Sequence, residues 1–296
     1  MNGLPPPPPY TSQGAKLDQG QPGFHSVYPP GNVPAPIDPA ARFQQLCDRY
    51  EIRAEFASKL RLLSDFEIVV IADDSGSMTS IQKTEDPYGP IQSRWDELKR
   101  SLFQIVDIAL LFDQNGIDVY FLNRTAIDQQ GRQRTLVLSN VTERKTIEDA
   151  FSMPPSGFTP LSRTLKMVLD EKQAVTKEKK LLLLICTDGE PTDESGRVDI
   201  AGFRHVLAHR QPIDKIFVNI MACSDDPGTM AYLAKLDQEI KNLDVIDDYL
   251  SEKREITSRN PGSTYSYGDH IVKTLVGSID PSLDRLDERS SCCALQ

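Results

Sequence analysis

Three stretches of this chain are apolar almost without interruption: "FEIVVIA" at 66–72, "LLLLIC" at 181–186 and "IFVNIMA" at 216–222. A strand with one solvated face alternates apolar and polar residues. A run without that alternation must be covered on both faces. A helical pattern follows each run: "SRWDELKRSLFQIVDIALLF", "VDIAGFRHVLAHR" and "GTMAYLAKLDQEIKN". Strands separated by helices in this way specify an α/β fold, a doubly wound and mostly parallel sheet with helices on both faces. "IDVYFLN", "TLVLSNV" and "LDVIDDY" supply further short strands, and "TERKTIEDAF", "TPLSRTLKMVLDEKQA" and "GDHIVKTLVGSI" further helices. The helix that begins near Trp95 is expected to end at the stop signal Asn115-Gly116.

Around this core the composition changes. Residues 1–38 are rich in proline, glycine, glutamine and serine, and read as a disordered arm with polyproline II character. Residues 39–63 carry Phe43, Leu46, Tyr50, Phe56, Leu60 and Leu63 among charges and read as a helical lead-in. The main domain is expected at 64–280, and a flexible tail at 281–296.

The chemistry gathers where the first run ends, in "ADDSGSM". In extended backbone, residues two apart point the same way. Asp73, Ser75 and Ser77 therefore converge, and Gly76 lets the chain turn between them. Asp74 has the opposite parity and is assigned to solvent or to a place behind the ligands. Carboxylate and hydroxyl oxygens are hard donors that suit Mg²⁺, Mn²⁺ or Ca²⁺ rather than zinc or copper. Three oxygens do not fill such a shell. Thr159 in "SGFTPL" and Asp188 in "CTDGEPTD", each at a strand-to-helix junction, are the candidates to add. Ligand sites in open α/β sheets lie outside the carboxyl ends of the strands, where these residues sit.

This set resembles the metal-ion-dependent adhesion site of von Willebrand factor A domains, whose signature is Asp-x-Ser-x-Ser followed by a distant Thr and a distant Asp. Asp73-Asp74-Ser75-Gly76-Ser77, Thr159 and Asp188 match it in order and context, and the resemblance covers residues 64–280. It implies a Rossmann-like sheet and a protein-binding module with no enzymatic activity. Asp73, Ser75 and Ser77 would hold the ion, and Thr159 and Asp188 would bind it directly or through water. An acidic side chain of a protein partner would take the position left open. Asp, Ser and Gly are also ordinary turn residues, and Thr159 and Asp188 raise the run above a turn.

Two other classes remain. A Mg²⁺-dependent hydrolase or phosphotransferase of the haloacid dehalogenase type would open with Asp-x-Asp, but Ser75 replaces the second acid. A scaffold with a degenerate, metal-free site is the other. His205 and His209 stand four apart, without the glutamate that follows the first histidine in a zinc-protease helix.

The net charge of −10 opposes nucleic-acid binding, which needs a positive field. No signal-peptide pattern opens the chain, and Gly3 lies one place too late for N-myristoylation. With five cysteines and no paired spacing, a reducing, cytoplasmic location is expected, and Cys186 and Cys223 read as small buried hydrophobes. The last four residues, Cys293-Ala294-Leu295-Gln296, fit a prenylation box, and Cys292 could carry a palmitoyl group as the second membrane signal. Pro7-Pro8-Pro9-Tyr10 resembles the Pro-Pro-x-Tyr ligands of WW domains. The expected whole is an adaptor or scaffold at the cytosolic face of a membrane.

Overall fold

The computed structural model describes residues 38–81, 92–224 and 226–283. Chain contacts separate Met1–Ile37 from Asp38–Gln296, and every described residue belongs to the second unit. Pro7, Pro8, Tyr10, Cys292 and Cys293 lie outside the described residues.

Six strands form one sheet: β1 (Phe66–Ala72), β2 (Ile117–Ile127), β3 (Gln133–Val141), β4 (Lys180–Thr187), β5 (Ile216–Ala222) and β6 (Leu243–Ile246). Their spatial order is β3-β2-β1-β4-β5-β6. β3 pairs antiparallel to β2 as an outer strand, and the other neighbours are parallel. The fold is thus the expected doubly wound α/β sheet. The chain steps outward from β1 through β2 to β3, returns to β4 on the other side of β1, and continues outward. That reversal leaves a crevice between the carboxyl ends of β1 and β4, the ordinary place for a ligand in such sheets.

The apolar runs are covered on both faces. Ile68, Val70 and Ala72 of β1 and Leu182, Leu184 and Cys186 of β4 face one layer; Val69, Ile71, Leu181, Leu183 and Ile185 face the other. The first layer is built from α1 (Pro39–Arg49), α2 (Ala54–Ala57), a 3-10 turn at Ser58–Asp65, α3 (Arg94–Ala109), α4 (Arg144–Ala150), α9 (Tyr249–Arg259) and α10 (Tyr267–Val276). The second comes from α5 (Leu161–Glu171), α7 (Ile200–His209) and α8 (Pro227–Glu239). The short α6 (Val175–Glu178) leads into β4. Each fully buried Leu or Ile contributes about 1.5–3 kcal/mol, so a sheet sandwiched this way is held mainly by its two apolar layers.

The lead-in shares this core. Phe56, Leu60 and Leu63 are buried in the same layer as Ile271 and Leu275 of α10. Arg53 fastens them, donating from its backbone N–H (2.9 Å) and its Nε (2.7 Å) to Asp269.

α3 starts at a capping box in which Ser93 and Asp96 exchange hydrogen bonds. It stops at Ala109, short of the expected end at Asn115. Leu110, Leu111 and Phe112 follow as tight turns. The chain there must bend into β2 at Gly116, whose φ is +82° and where a Cβ would lie 2.2 Å from the Val141 carbonyl oxygen. A second difference is α9, which sequence periodicity does not mark. Among the described residues no helix is long and apolar enough to cross a membrane.

Candidate metal centre

β1 ends at Ala72, and the Asp73 N–H still donates to the Cys186 carbonyl (2.9 Å), so Asp73 continues the ladder one step beyond the strand. Its carboxylate is fully buried. Oδ1 accepts from the Ser75 N–H (2.9 Å), and Oδ2 from the Thr187 hydroxyl at the end of β4 (2.6 Å). Burial, with the Asp188 carboxylate close by, pushes the Asp73 carboxyl up to about 7.

The chain then turns through a 3-10 segment, Gly76–Thr79. Ser75 and Ser77 point together, their hydroxyl oxygens 3.0 Å apart. Ser77 donates to Asp188 Oδ1 across the crevice (2.7 Å). Asp73, Ser75, Ser77 and Asp188 are therefore one connected group of oxygens at the carboxyl ends of β1 and β4. Ser77 is its exposed member, whereas Asp73, Ser75 and Asp188 are buried.

Thr159 stands on the adjoining loop. The Gly76 N–H donates to the Gly157 carbonyl (3.1 Å), which brings that loop against the β1 end. Thr159 itself is buried, and its backbone N–H and carbonyl are both held by Thr192. No hydrogen bond joins its side chain to the other four. Phe158, one residue before it, is 53% exposed.

Asp74 is 1% exposed, which rules out solvent and leaves the place behind the ligands. Oδ1 accepts from the backbone N–H groups of Leu122 (3.0 Å) and Asn123 (2.8 Å), and Oδ2 from that of Arg124 (3.1 Å). The Arg124 guanidinium adds an ion pair at 3.3 Å. Asp74 is thus a clamp between the end of β1 and the middle of β2. Its opposite parity sends it to the other neighbouring strand.

Three groups at the centre escape sequence reasoning. Arg94, the first residue of α3, donates from Nη1 to Asp188 Oδ2 (2.7 Å) and from Nη2 to the Ser224 hydroxyl (2.9 Å). Thr187 was readable in principle: Ala72 pairs with Cys186, so the residues after them, Asp73 and Thr187, are also neighbours. Arg94 and Ser224 carried no local signal.

The donors fit a hard divalent ion: all are carboxylate or hydroxyl oxygens, and the two carboxylates leave it electron-poor. Among the described residues no group of three or more His, Cys, Asp or Glu side chains could hold a metal, so a site here depends on its hydroxyls. Cys47, Cys186 and Cys223 are buried and outside any disulfide. His205 and His209 are exposed and stack on each other with ring centroids 4.1 Å apart.

No family model matches the chain. No curated protein matches it either. Among solved structures, it is similar to a point mutant of the PilB minor pilin from Streptococcus sanguinis, with a TM-score of 0.46 and 14% identity. That match covers 75% of this chain and 62% of the pilin. It is also similar to the VWA domain of SpRpn10, with a TM-score of 0.39 and 10% identity over 62% of this chain and 87% of that one.

Proposed function

We propose that the chain is a protein-binding module of the von Willebrand factor A type, and that its binding depends on a divalent cation. The observation that carries this reading is the connected group of Asp73, Ser75, Ser77 and Asp188 in the crevice between β1 and β4. Asp73, Ser75 and Ser77 would hold the ion, with Asp188 and Thr159 completing the set. The ion, Mg²⁺ or Mn²⁺, would supply a Lewis-acidic position for a carboxylate from the partner. The protein's own residues do the rest. Thr187 orients Asp73, and the Gly76–Gly157 hydrogen bond keeps the two loops together. Exposed Phe158 offers an apolar contact beside the site, suited to an acidic residue with an apolar neighbour. The reading assigns no catalysis. A prenyl group on Cys293, with a palmitoyl on Cys292, would bring the module to a membrane surface as an adaptor, and Pro7, Pro8 and Tyr10 would recruit a WW-domain protein.

The test is calorimetric titration of MnCl₂ and MgCl₂ into the full chain and into Asp73→Ala. A saturable site that Asp73→Ala loses supports the reading. Equal binding by both proteins overturns the reading. No binding by the wild type at millimolar cation favours the metal-free scaffold.

A further inference from the structure

The crevice already contains a cation. Arg94 lies at the first turn of α3, and its side chain is 18% exposed while that of Asp188 is 0% exposed. The guanidinium spans the ends of β4 and β5, donating to Asp188 Oδ2 (2.7 Å) and to Ser224 Oγ (2.9 Å). The third nitrogen, Nε, is buried without an acceptor. Asp188 Oδ1 meanwhile accepts from Ser77 (2.7 Å). Both oxygens of the second carboxylate are thus occupied by donors of this chain, one neutral and one charged.

A hydroxyl that donates to Asp188 can rotate and offer a lone pair to an ion instead. A guanidinium cannot; it has five donors and no acceptor, and it does not deprotonate. Its positive charge also opposes a divalent ion at the same carboxylate. A second acid is linked to Arg94 through Ser224. Asp226 caps α8, accepting from the Thr229 N–H (2.9 Å), and its backbone N–H donates to the Ser224 hydroxyl that Arg94 also holds (3.1 Å). The field of Arg94 already reaches the Asp226 carboxyl.

We infer that Arg94 is a built-in competitor of the divalent cation: the Arg94–Asp188 pair closes the metal-free site, and an ion enters as that pair opens and Arg94 moves toward Asp226. This deepens the metal-dependent reading and rests on it. Arg94 sets the cation concentration at which the module becomes able to bind, making the site a switch with a threshold. An ion that enters by exchange binds more weakly than one that enters a vacant carboxylate cage.

The experiment is calorimetric titration of MnCl₂ into the full chain carrying Arg94→Gln, Arg94→Lys or Asp73→Ala, beside the wild type. Arg94→Gln removes the charge and is expected to bind Mn²⁺ at least tenfold more tightly. Arg94→Lys keeps a charge but loses the two-armed contact, and is expected to bind two- to fivefold more tightly. Asp73→Ala is expected not to bind. If Arg94→Gln does not fold, judged by circular dichroism, Arg94→Lys carries the test. Equal or weaker binding by the Arg94 variants, with binding still lost in Asp73→Ala, overturns the role of Arg94 and leaves the metal site standing. Binding by Asp73→Ala as tight as wild type, or no binding by wild type and Arg94→Gln alike, overturns both.

Discussion

At the scale of single residues, the two adjacent acids of "ADDSGSM" divide structure from function. Asp73 is buried near a second carboxylate, an arrangement that disfavours its charged form. Asp74 is buried among three backbone N–H donors and Arg124. Removing one member of a buried ion pair leaves the other uncompensated, at a cost of about 3–5 kcal/mol. Asp74→Ala is therefore expected to lower the unfolding free energy by roughly that amount in urea. A loss below about 1 kcal/mol, the range of an exposed pair, would mean that the clamp carries little weight. The spacing of Asp73, Ser75 and Ser77 was legible because a local parity fixes which side chains share a side. The partners of Asp74 and Arg94 were not, because they come from strand and helix ends far away in the chain. A single sequence contains no rule that pairs residue 94 with residue 188.

At the scale of elements, legibility followed burial. β1, β4 and β5 are continuous apolar runs, and the structure places them at the centre of the sheet. α9 was missed because "YLSEKREITSR" shows no apolar stripe; only Glu252 and Ile256 are buried along it. The same layer buries Glu252 with Lys273 of α10 in an ion pair at 2.8 Å, which hydrophobic periodicity cannot reveal. The loop from α4 to α5 had a local signal of another kind. Gly157 has φ +106°, and a Cβ there would lie 2.6 Å from the Asn123 side chain. It also presents the carbonyl that holds Gly76. Gly157→Ala is expected to displace the loop that carries Thr159, cutting Mn²⁺ affinity by about tenfold or more while costing on the order of 1–3 kcal/mol in stability. Calorimetry paired with urea unfolding reads both effects. Unchanged affinity would show that the loop's position does not matter to the site.

At the scale of the whole molecule, the two apolar layers differ in what else they bury. The second is almost wholly aliphatic, with Phe203 and Tyr120. The first also encloses His270, 2% exposed among the rings of Tyr249, Tyr265 and Tyr267 and without a partner at Nδ1. Burial, with the Lys273 charge adding to it, holds its pKa down at about 3. In the unfolded chain that imidazole takes a proton near pH 6.5, whereas in the fold it stays neutral. The unfolded state then binds more protons, so this contribution is complete above pH 6.5 and is lost as the pH falls toward 3. The slope contributed by His270 alone approaches ~1.4 kcal/mol per pH unit below 6.5. The raised Asp73 carboxyl contributes a slope of opposite sign in both proteins, so the readout is the difference between them: from pH 7.5 to 5.5 the urea midpoint of the wild type should drop relative to that of His270→Gln. Parallel slopes would contradict the assignment.

Trp95, the chain's single tryptophan, lies next to Arg94, stacked on Phe151 with ring centroids 3.8 Å apart. Arg124, the partner of Asp74, also lies over the indole, 4.9 Å from its centroid. One neighbour of the indole is thus tied to the clamp, and the adjoining residue reaches into the crevice. Because no other indole contributes to it, the tryptophan emission of the unlabelled protein, excited where tyrosine does not absorb, reports on this corner alone. The protein carries its own optical probe at the point where an exchange of Arg94 for a metal ion would be felt.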